Sequence, residues 1–240
     1  VTGASEGIGR AFCERLIKDG WHVTGVARGE ARLKDITGLT PLPADLSTPD
    51  GVAKIAAHLQ SSPYQLLINN AGFGVYGPFY RSDLAAQQAM IRLNIDALVA
   101  LSHAFLQGAK RGDALINVSS VLGLVPMPIN GVYSATKAFV TSFSESLWAE
   151  QRRRGVYVMG LSPGATATLF HQRAGGDATT APPKTILQTP EQVVDVAMRA
   201  LAARSKPTVV SGLRNQMMAR LPRLLPRKLV VAMMGRIDRL

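Results

Sequence analysis

Tyr133-Ser134-Ala135-Thr136-Lys137 sets a phenol and an ammonium four residues apart inside a helix-forming run. One helical turn places both side chains on the same face. A phenol with its ordinary pKa of roughly 10 is a poor acid or base at neutral pH, but a cation within reach favours the phenolate and pulls that value down. The pair could then move a proton to or from a substrate oxygen. A half-buried Tyr beside a solvated Lys has the same spacing, so the neighbours must decide. Ser119-Ser120 closes an apolar strand upstream, and Asn94 stands inside a helix among Leu93, Ile95 and Leu98. No G-x-S-x-G turn surrounds Ser120, which argues against a hydrolase. His22, His58, His103 and His171 are scattered, so no metal site is expected.

The elements that must position these groups read as alternating strands and helices. Thr2-Gly3-Ala4-Ser5-Glu6-Gly7-Ile8-Gly9 is a glycine-rich turn, and Arg10 to Lys18 continues it as a helix stopped by Asp19-Gly20. Such glycines let the backbone approach a pyrophosphate, whose charge is met by free N–H groups at the helix N-terminus. Strands are predicted at Trp21 to Ala27, Leu39 to Ala44, Gln65 to Asn69, Ala114 to Val118, Val156 to Leu161 and Pro207 to Val210. Helices are predicted from Thr48-Pro49 to Gln60, from Asp83 to Gln107, from Tyr133 to Arg153, and from Thr189-Pro190 to Arg204. This order implies an α/β, Rossmann-type doubly wound parallel sheet in a single domain, 1–212, with a C-terminal basic amphipathic helical extension, 213–240. Residues 165–188, rich in Thr, Gly, Ala and Pro, read as a mobile lid. Val1-Thr2 leaves almost no room for a strand feeding the turn, so further residues are expected before it.

Composition narrows the class. The 240 residues are 47% apolar with a net charge of +11, and the single Cys13 sits among Ala11, Phe12 and Leu16. That neighbourhood predicts a buried apolar residue rather than a nucleophile, in a reducing compartment. No signal-peptide layout and no run of about eighteen apolar residues is read, so a cytoplasmic protein is expected. Leu213 to Leu240 holds Arg214, Arg220, Arg223, Arg227, Lys228, Arg236 and Arg239 against Asp238 alone, which concentrates +6 of the charge there.

The ordered motifs resemble the short-chain dehydrogenase/reductase family up to about Val210. The first turn resembles its cofactor turn, and Asn69-Asn70-Ala71-Gly72 its sheet-stabilising loop. Asn94, Ser120 (rather than Ser119), Tyr133 and Lys137 fall where the family keeps its catalytic tetrad. Pro163-Gly164 followed by Thr168 resembles the loop that contacts the nicotinamide carboxamide. The resemblance implies an oxidoreductase interconverting a carbonyl and an alcohol. Tyr133 would be its general acid, Ser120 would bond the carbonyl oxygen, and Lys137 would lower the Tyr133 pKa and hold the ribose. Asn94 would seat a water through either its side chain or its backbone. Cofactor contacts are implied for Gly3, Ser5, Gly7, Ile8, Gly9, Arg28, Asp45, Leu46, Asn70, Ala71, Gly72, Tyr133, Lys137, Pro163, Gly164 and Thr168. A catalytically silent NADP-binding sensor or scaffold is the competing class, against which the intact Ser, Tyr and Lys argue.

Arg28 ends the second strand where an NAD-preferring fold carries an acid, with Arg32 one turn on; this predicts NADP(H) over NAD(H), although Glu6 stands where a basic residue is common. Phe73, Val75, Val121, Leu122, Val125, Met127, Leu169 and Phe170 predict a lipophilic ketone or aldehyde, or else the packing of the lid. A homodimer or homotetramer is implied through the helices Asp83 to Gln107 and Tyr133 to Arg153, with Ala135, Ala138 and Phe139 facing either a second copy or the sheet. In the tail, Pro226, Leu229, Val230, Met233, Met234 and Ile237 form an apolar stripe flanked by cations, as in helices lying in a membrane interface. The same stripe could instead pack on the body. Nucleic acid is not expected, for no aromatic residue lies between the basic ones.

Overall fold

The fold is built on parallel β-strands whose central members are buried on both faces. The computed structural model describes residues 1–176 and 182–237. Six strands, β1 (Val23–Ala27), β2 (Leu39–Pro43), β3 (Leu66–Asn69), β4 (Ala114–Val118), β5 (Tyr157–Ser162) and β6 (Thr208–Val210), pair only in parallel, as β1 with β2 and in the order β3-β4-β5-β6. Residues 1–4 join the two sets. The Val26 N–H donates to Val1 O at 2.8 Å, and the Thr2 N–H donates to Ile68 O at 2.9 Å.

Side chains alternate between two cores, as a strand's twofold period requires. Ile116 and Val118 of β4, with Tyr157, Met159 and Leu161 of β5, join Phe12, Cys13 and Leu16 of α1 (Gly7–Lys18). Leu115 and Val158 point the opposite way, onto Ile55 of α3 (Pro49–Ser61) and onto Leu101, Phe105 and Leu147. A short helix, α2 (Glu30–Lys34), follows β1. Burial raises the Cys13 thiol to about 11, in keeping with a packing role. Thr48 caps α3, and Thr189 closes a capping box with Gln192 at the start of α8 (Pro190–Ala203).

The helix predicted from Asp83 is α4 (Leu84–Ile91), a π-helical turn (Arg92–Ala97) and α5 (Leu98–Gly108) in succession. By length and composition Leu84–Gly108 could cross a membrane, contrary to the expectation that no segment could. Half of its apolar window is buried against the sheet and α6 (Gly131–Gln151), which is how an ordinary core helix reads. The segment expected to be an irregular lid contains α7 (Phe170–Arg173), and its ends are tied by Ala167 N–H to Gln188 O at 2.9 Å and Gln188 N–H to Ala165 O at 2.9 Å. Residues 177–181 of that lid, and Asp238 and Arg239 of the tail, lie outside the described residues. The tail forms α9 (Leu213–Arg220), a 3-10 turn (Leu221–Leu224) and α10 (Arg227–Ile237). Its predicted single stripe is divided: Val230 is buried and Met234 half-buried, whereas Leu229 and Met233 are exposed.

Candidate active site

All four proposed catalytic residues come together at the C-terminal end of β4. Ser120 follows that strand, Tyr133 and Lys137 lie one turn apart on α6, and Asn94 reaches in from the π-turn. The Lys137 Nζ lies 5.8 Å from the centre of the Tyr133 ring and donates to Val118 O at 2.9 Å. Ser120 lies near enough to the Tyr133 hydroxyl to act on its pKa, and its own Oγ accepts from the Leu122 N–H at 3.1 Å. Ser119 points away; its Oγ donates to Lys137 O at 2.7 Å and lies 2.8 Å from Thr141 Oγ1, bracing α6 against β4.

The acid–base balance differs from the expectation that Lys137 lowers Tyr133. Both groups are buried, and loss of water raises the Tyr133 pKa well above the ordinary phenol value, with Ser120 opposing and nearby Tyr76 adding to the rise. The same burial lowers Lys137 to about 8. Desolvation penalises the charged form of each, so the protein alone keeps the phenol protonated.

Asn94 is 1% exposed, and its side chain is fully engaged. Oδ1 accepts from the Phe73 N–H at 3.2 Å, while Nδ2 donates to Phe73 O at 3.0 Å and to Thr136 Oγ1 at 3.1 Å. The side chain therefore fixes the loop after β3 onto α6. With both amide hydrogens taken, the side chain has no donor left to offer a water.

The glycine-rich turn has the shape a pyrophosphate requires. Gly3 and Gly7 have φ of 64° and 54°, and a Cβ on Gly9 would lie 2.2 Å from Gly3 O. The first turn of α1 carries no acidic residue and no side-chain cap, so its N–H groups remain available to an anion. Ser5 and Ile8 are half-buried in this turn. Thr168 closes over it, its methyl 3.0 Å from the position of a Gly7 Cβ, and Pro163 O accepts from the Val121 N–H at 3.0 Å. Gly164 lies against the Asn215 side chain of α9. A Cβ on Gly72 would fall 2.9 Å from Asn94 Oδ1 and 3.4 Å from Lys137 Nζ, so Gly72 keeps the space beside the amine open.

Asn70, Ala71 and Leu46, three of the expected cofactor contacts, are also tied into the scaffold. Asn70 Nδ2 donates to Thr2 O at 3.0 Å and Gly3 O at 3.3 Å, while the Asn70 and Ala71 N–H groups both donate to Thr2 Oγ1. The Asn70 side chain therefore holds the turn's shape, and Thr2 is the hub, a role hidden in the sequence because its partners lie nearly seventy residues away. Leu46 is buried in the core. Asp45 accepts from Ser47 N–H at 2.9 Å and Ser47 Oγ at 2.7 Å; the hydroxyl bond first, with nearby Arg28 also contributing, lowers its pKa. Arg28 itself is exposed at the end of β1. Glu6 ion-pairs with Arg32 at 3.3 Å and with Arg173 of α7, joining the glycine turn, α2 and α7.

Phe170 contacts Tyr133 at a ring-centroid distance of 5.4 Å. It is half-buried, as are Phe73, Val75, Val121, Leu122, Val125 and Met127, while Leu169 is half-exposed. Tyr76 and Thr136, which sequence reading missed, complete the surroundings of Tyr133 and Asn94. Among the described residues, no three His, Cys, Asp or Glu side chains gather to hold a metal.

A family model described as short chain dehydrogenase matches residues 1–178. The chain belongs to the short chain dehydrogenase family. Like other members it is an oxidoreductase of CH–OH groups. It is 33% identical over 229 residues to a 7beta-hydroxysteroid dehydrogenase from Mediterraneibacter gnavus, covering 90% of this chain and 86% of that protein. To the human very-long-chain 3-oxoacyl-CoA reductase it is 28% identical, covering 97% of this chain and 78% of the relative. Among solved structures, a short chain dehydrogenase from Sphingobium yanoikuyae in complex with NADPH superposes with a TM-score of 0.82 at 30% identity, covering 100% of this chain and 94% of the other.

Proposed function

We propose that this short chain dehydrogenase is an NADP(H)-dependent reductase of lipophilic ketones or aldehydes. The observation that carries the reading is the convergence of Ser120, Tyr133 and Lys137, with the Lys137 Nζ 5.8 Å from the centre of the Tyr133 ring, among half-buried apolar side chains. The turn at Gly3, Gly7 and Gly9 and the free end of α1 would hold the pyrophosphate, and Arg28 and Arg32 the 2′-phosphate. When bound, the nicotinamide supplies the hydride that goes to the carbonyl carbon. Ser120 donates a hydrogen bond to the carbonyl oxygen and steadies the charge growing there. Tyr133, kept neutral by burial, passes its proton to that oxygen. The phenolate left behind is met by the Lys137 cation, which at about 8 remains largely protonated at neutral pH. The backbone carbonyl of Asn94 seats the water through which the proton is replaced.

The relatives' names, a hydroxysteroid dehydrogenase and a very-long-chain 3-oxoacyl-CoA reductase, accord with a large apolar substrate. So does a neighbouring fold from Comamonas testosteroni, described as a bulky-bulky ketone specific alcohol dehydrogenase, with a TM-score of 0.77 at 25% identity. We further propose a cytoplasmic homodimer or homotetramer built on Leu84–Gly108 and α6, with 213–240 as a peripheral membrane contact. On α6, Ala135, Ala138 and Phe139 are exposed, which favours a second copy over the sheet as their partner. Tyr133→Phe is expected to abolish reduction across a panel of hydrophobic ketones while NADPH binding, read by fluorescence, persists. Turnover within a few-fold of the parent would remove Tyr133 as the acid. A parent chain that binds NADPH but reduces nothing in the panel would establish the silent sensor instead.

A further inference from the structure

We infer that the tail is a docking surface for an anionic lipid bilayer and that the substrate cleft opens beside it. Every fourth residue from 213 to 233 is Leu or Met: Leu213, Met217, Leu221, Leu225, Leu229 and Met233. Their exposure runs from 36% to 79%. A spacing of four keeps residues on one helical side, so α9 and α10 each carry an outward apolar ridge. Burying such side chains is worth enough that a chain rarely leaves six of them exposed within one short tail without a partner for them.

The tail is held in this posture by its other side. Ala219 and Val230 are buried, Asn215 Nδ2 donates to Ser211 O at 2.7 Å and to Gln188 Oε1 at 3.1 Å, and Gln216 Nε2 donates to Val210 O at 3.2 Å. The ridge is thus the side left over after the tail has packed on the body.

Charge selects the occupant. From Leu213 to Ile237 there are six cations (Arg214, Arg220, Arg223, Arg227, Lys228 and Arg236) and no acid; Arg214, Arg227 and Lys228 are exposed. A second copy meeting the ridge in a twofold interface would set Arg214, Arg227 and Lys228 against themselves. Acidic headgroups attract them, and acyl chains accept the Leu and Met side chains.

Another side of α10 meets the loop before α6. A Cβ on Gly235 of α10 would lie 3.9 Å from Pro128, and the neighbouring Ile129 O accepts from the Gly77 N–H at 2.9 Å. Ile129 in this contact, and Phe79 and Tyr80 just after Gly77, are exposed apolar side chains. A bilayer seated on the ridge therefore lies beside the entrance, and a lipophilic carbonyl compound can pass from the acyl layer into the cleft; this last step rests on the reductase reading above, whereas docking does not.

The test is co-sedimentation of the full chain with phosphatidylcholine vesicles that contain or lack phosphatidylserine. Binding is expected only with phosphatidylserine, and to weaken about ten-fold between 0.1 and 0.5 M salt. Met217→Glu with Leu229→Glu, and separately Arg227→Glu with Lys228→Glu, should each weaken it at least about ten-fold while leaving reduction of a water-soluble ketone unchanged. With a vesicle-dissolved ketone the same variants should lose rate. No sedimentation of the parent at low salt overturns docking whatever the enzyme reduces. A parent oligomer that the Met217 and Leu229 changes convert to monomer also overturns it, showing that a second copy covers the ridge. Equal rates on the vesicle-dissolved ketone despite lost binding would overturn the entrance alone.

Discussion

Lys137→Met is expected to abolish reduction and yet leave the chain as stable as the parent or more so. The amine is 5% exposed, and burial lowers its pKa from 10.5 to about 8. At 1.36 kcal/mol per pH unit, holding this cation in the fold costs roughly 3 kcal/mol. Methionine matches the stem in length and removes the charge, but it leaves Val118 O without the donor at 2.9 Å, a loss of about 1–3 kcal/mol. The net at pH 7 lies between nothing and about 2 kcal/mol in favour of the variant, or up to roughly 8 °C in a chain of this size. The pH dependence is the sharper signature. Because the folded-state value is below the unfolded one, the folded chain binds fewer protons between pH 8 and 10.5. The penalty is then complete below pH 8 and fades as pH rises through 10.5, so the parent gains on the variant across this window by about 3 kcal/mol. Urea denaturation of both chains from pH 6 to 10.5 measures the difference, in which groups titrating alike in both cancel. A difference that stays constant over that range would refute the reasoning that burial, acting on charge, sets this site.

Arg28→Ala removes a guanidinium proposed for the 2′-phosphate, and a charge-assisted bond of about 1.5–3 kcal/mol predicts a KM for NADPH raised roughly ten- to a hundred-fold with that for NADH little changed; equal effects on both cofactors would count against the assignment. Glu6→Gln frees Arg32 from its competing carboxylate, and initial-rate kinetics should show the KM for NADPH falling about two- to five-fold relative to that for NADH. No change in that ratio would place Arg32 outside the phosphate site. Gly9→Ala drives a methyl to 2.2 Å from Gly3 O and 2.5 Å from Asn70 Nδ2. Overpacking of roughly 1–3 kcal/mol at about 2–4 °C each predicts a melting temperature lowered by several degrees, and an unshifted melt would show that α1 can slide away from the turn.

What the chain alone determined was whatever its local chemistry enforces. Strands too apolar for water on either side had to be central and parallel, Thr48-Pro49 and Thr189-Pro190 had to start helices, and Tyr133 and Lys137 had to share a helical face. Tertiary structure decided everything that depends on groups distant in sequence. Thr2 became the hub of the glycine turn only when Asn70 and Ala71 closed on it, and the Asn94 side chain was claimed by Phe73 and Thr136. Glu6 met Arg32 and Arg173, the latter 167 residues away. The tail's stripe was divided by the body it packs against, and the Tyr133 pKa moved up where spacing to Lys137 suggested down. A shared helix turn fixes the distance between two charges, but desolvation is set by the whole shell of surroundings, and only the folded chain assembles that shell.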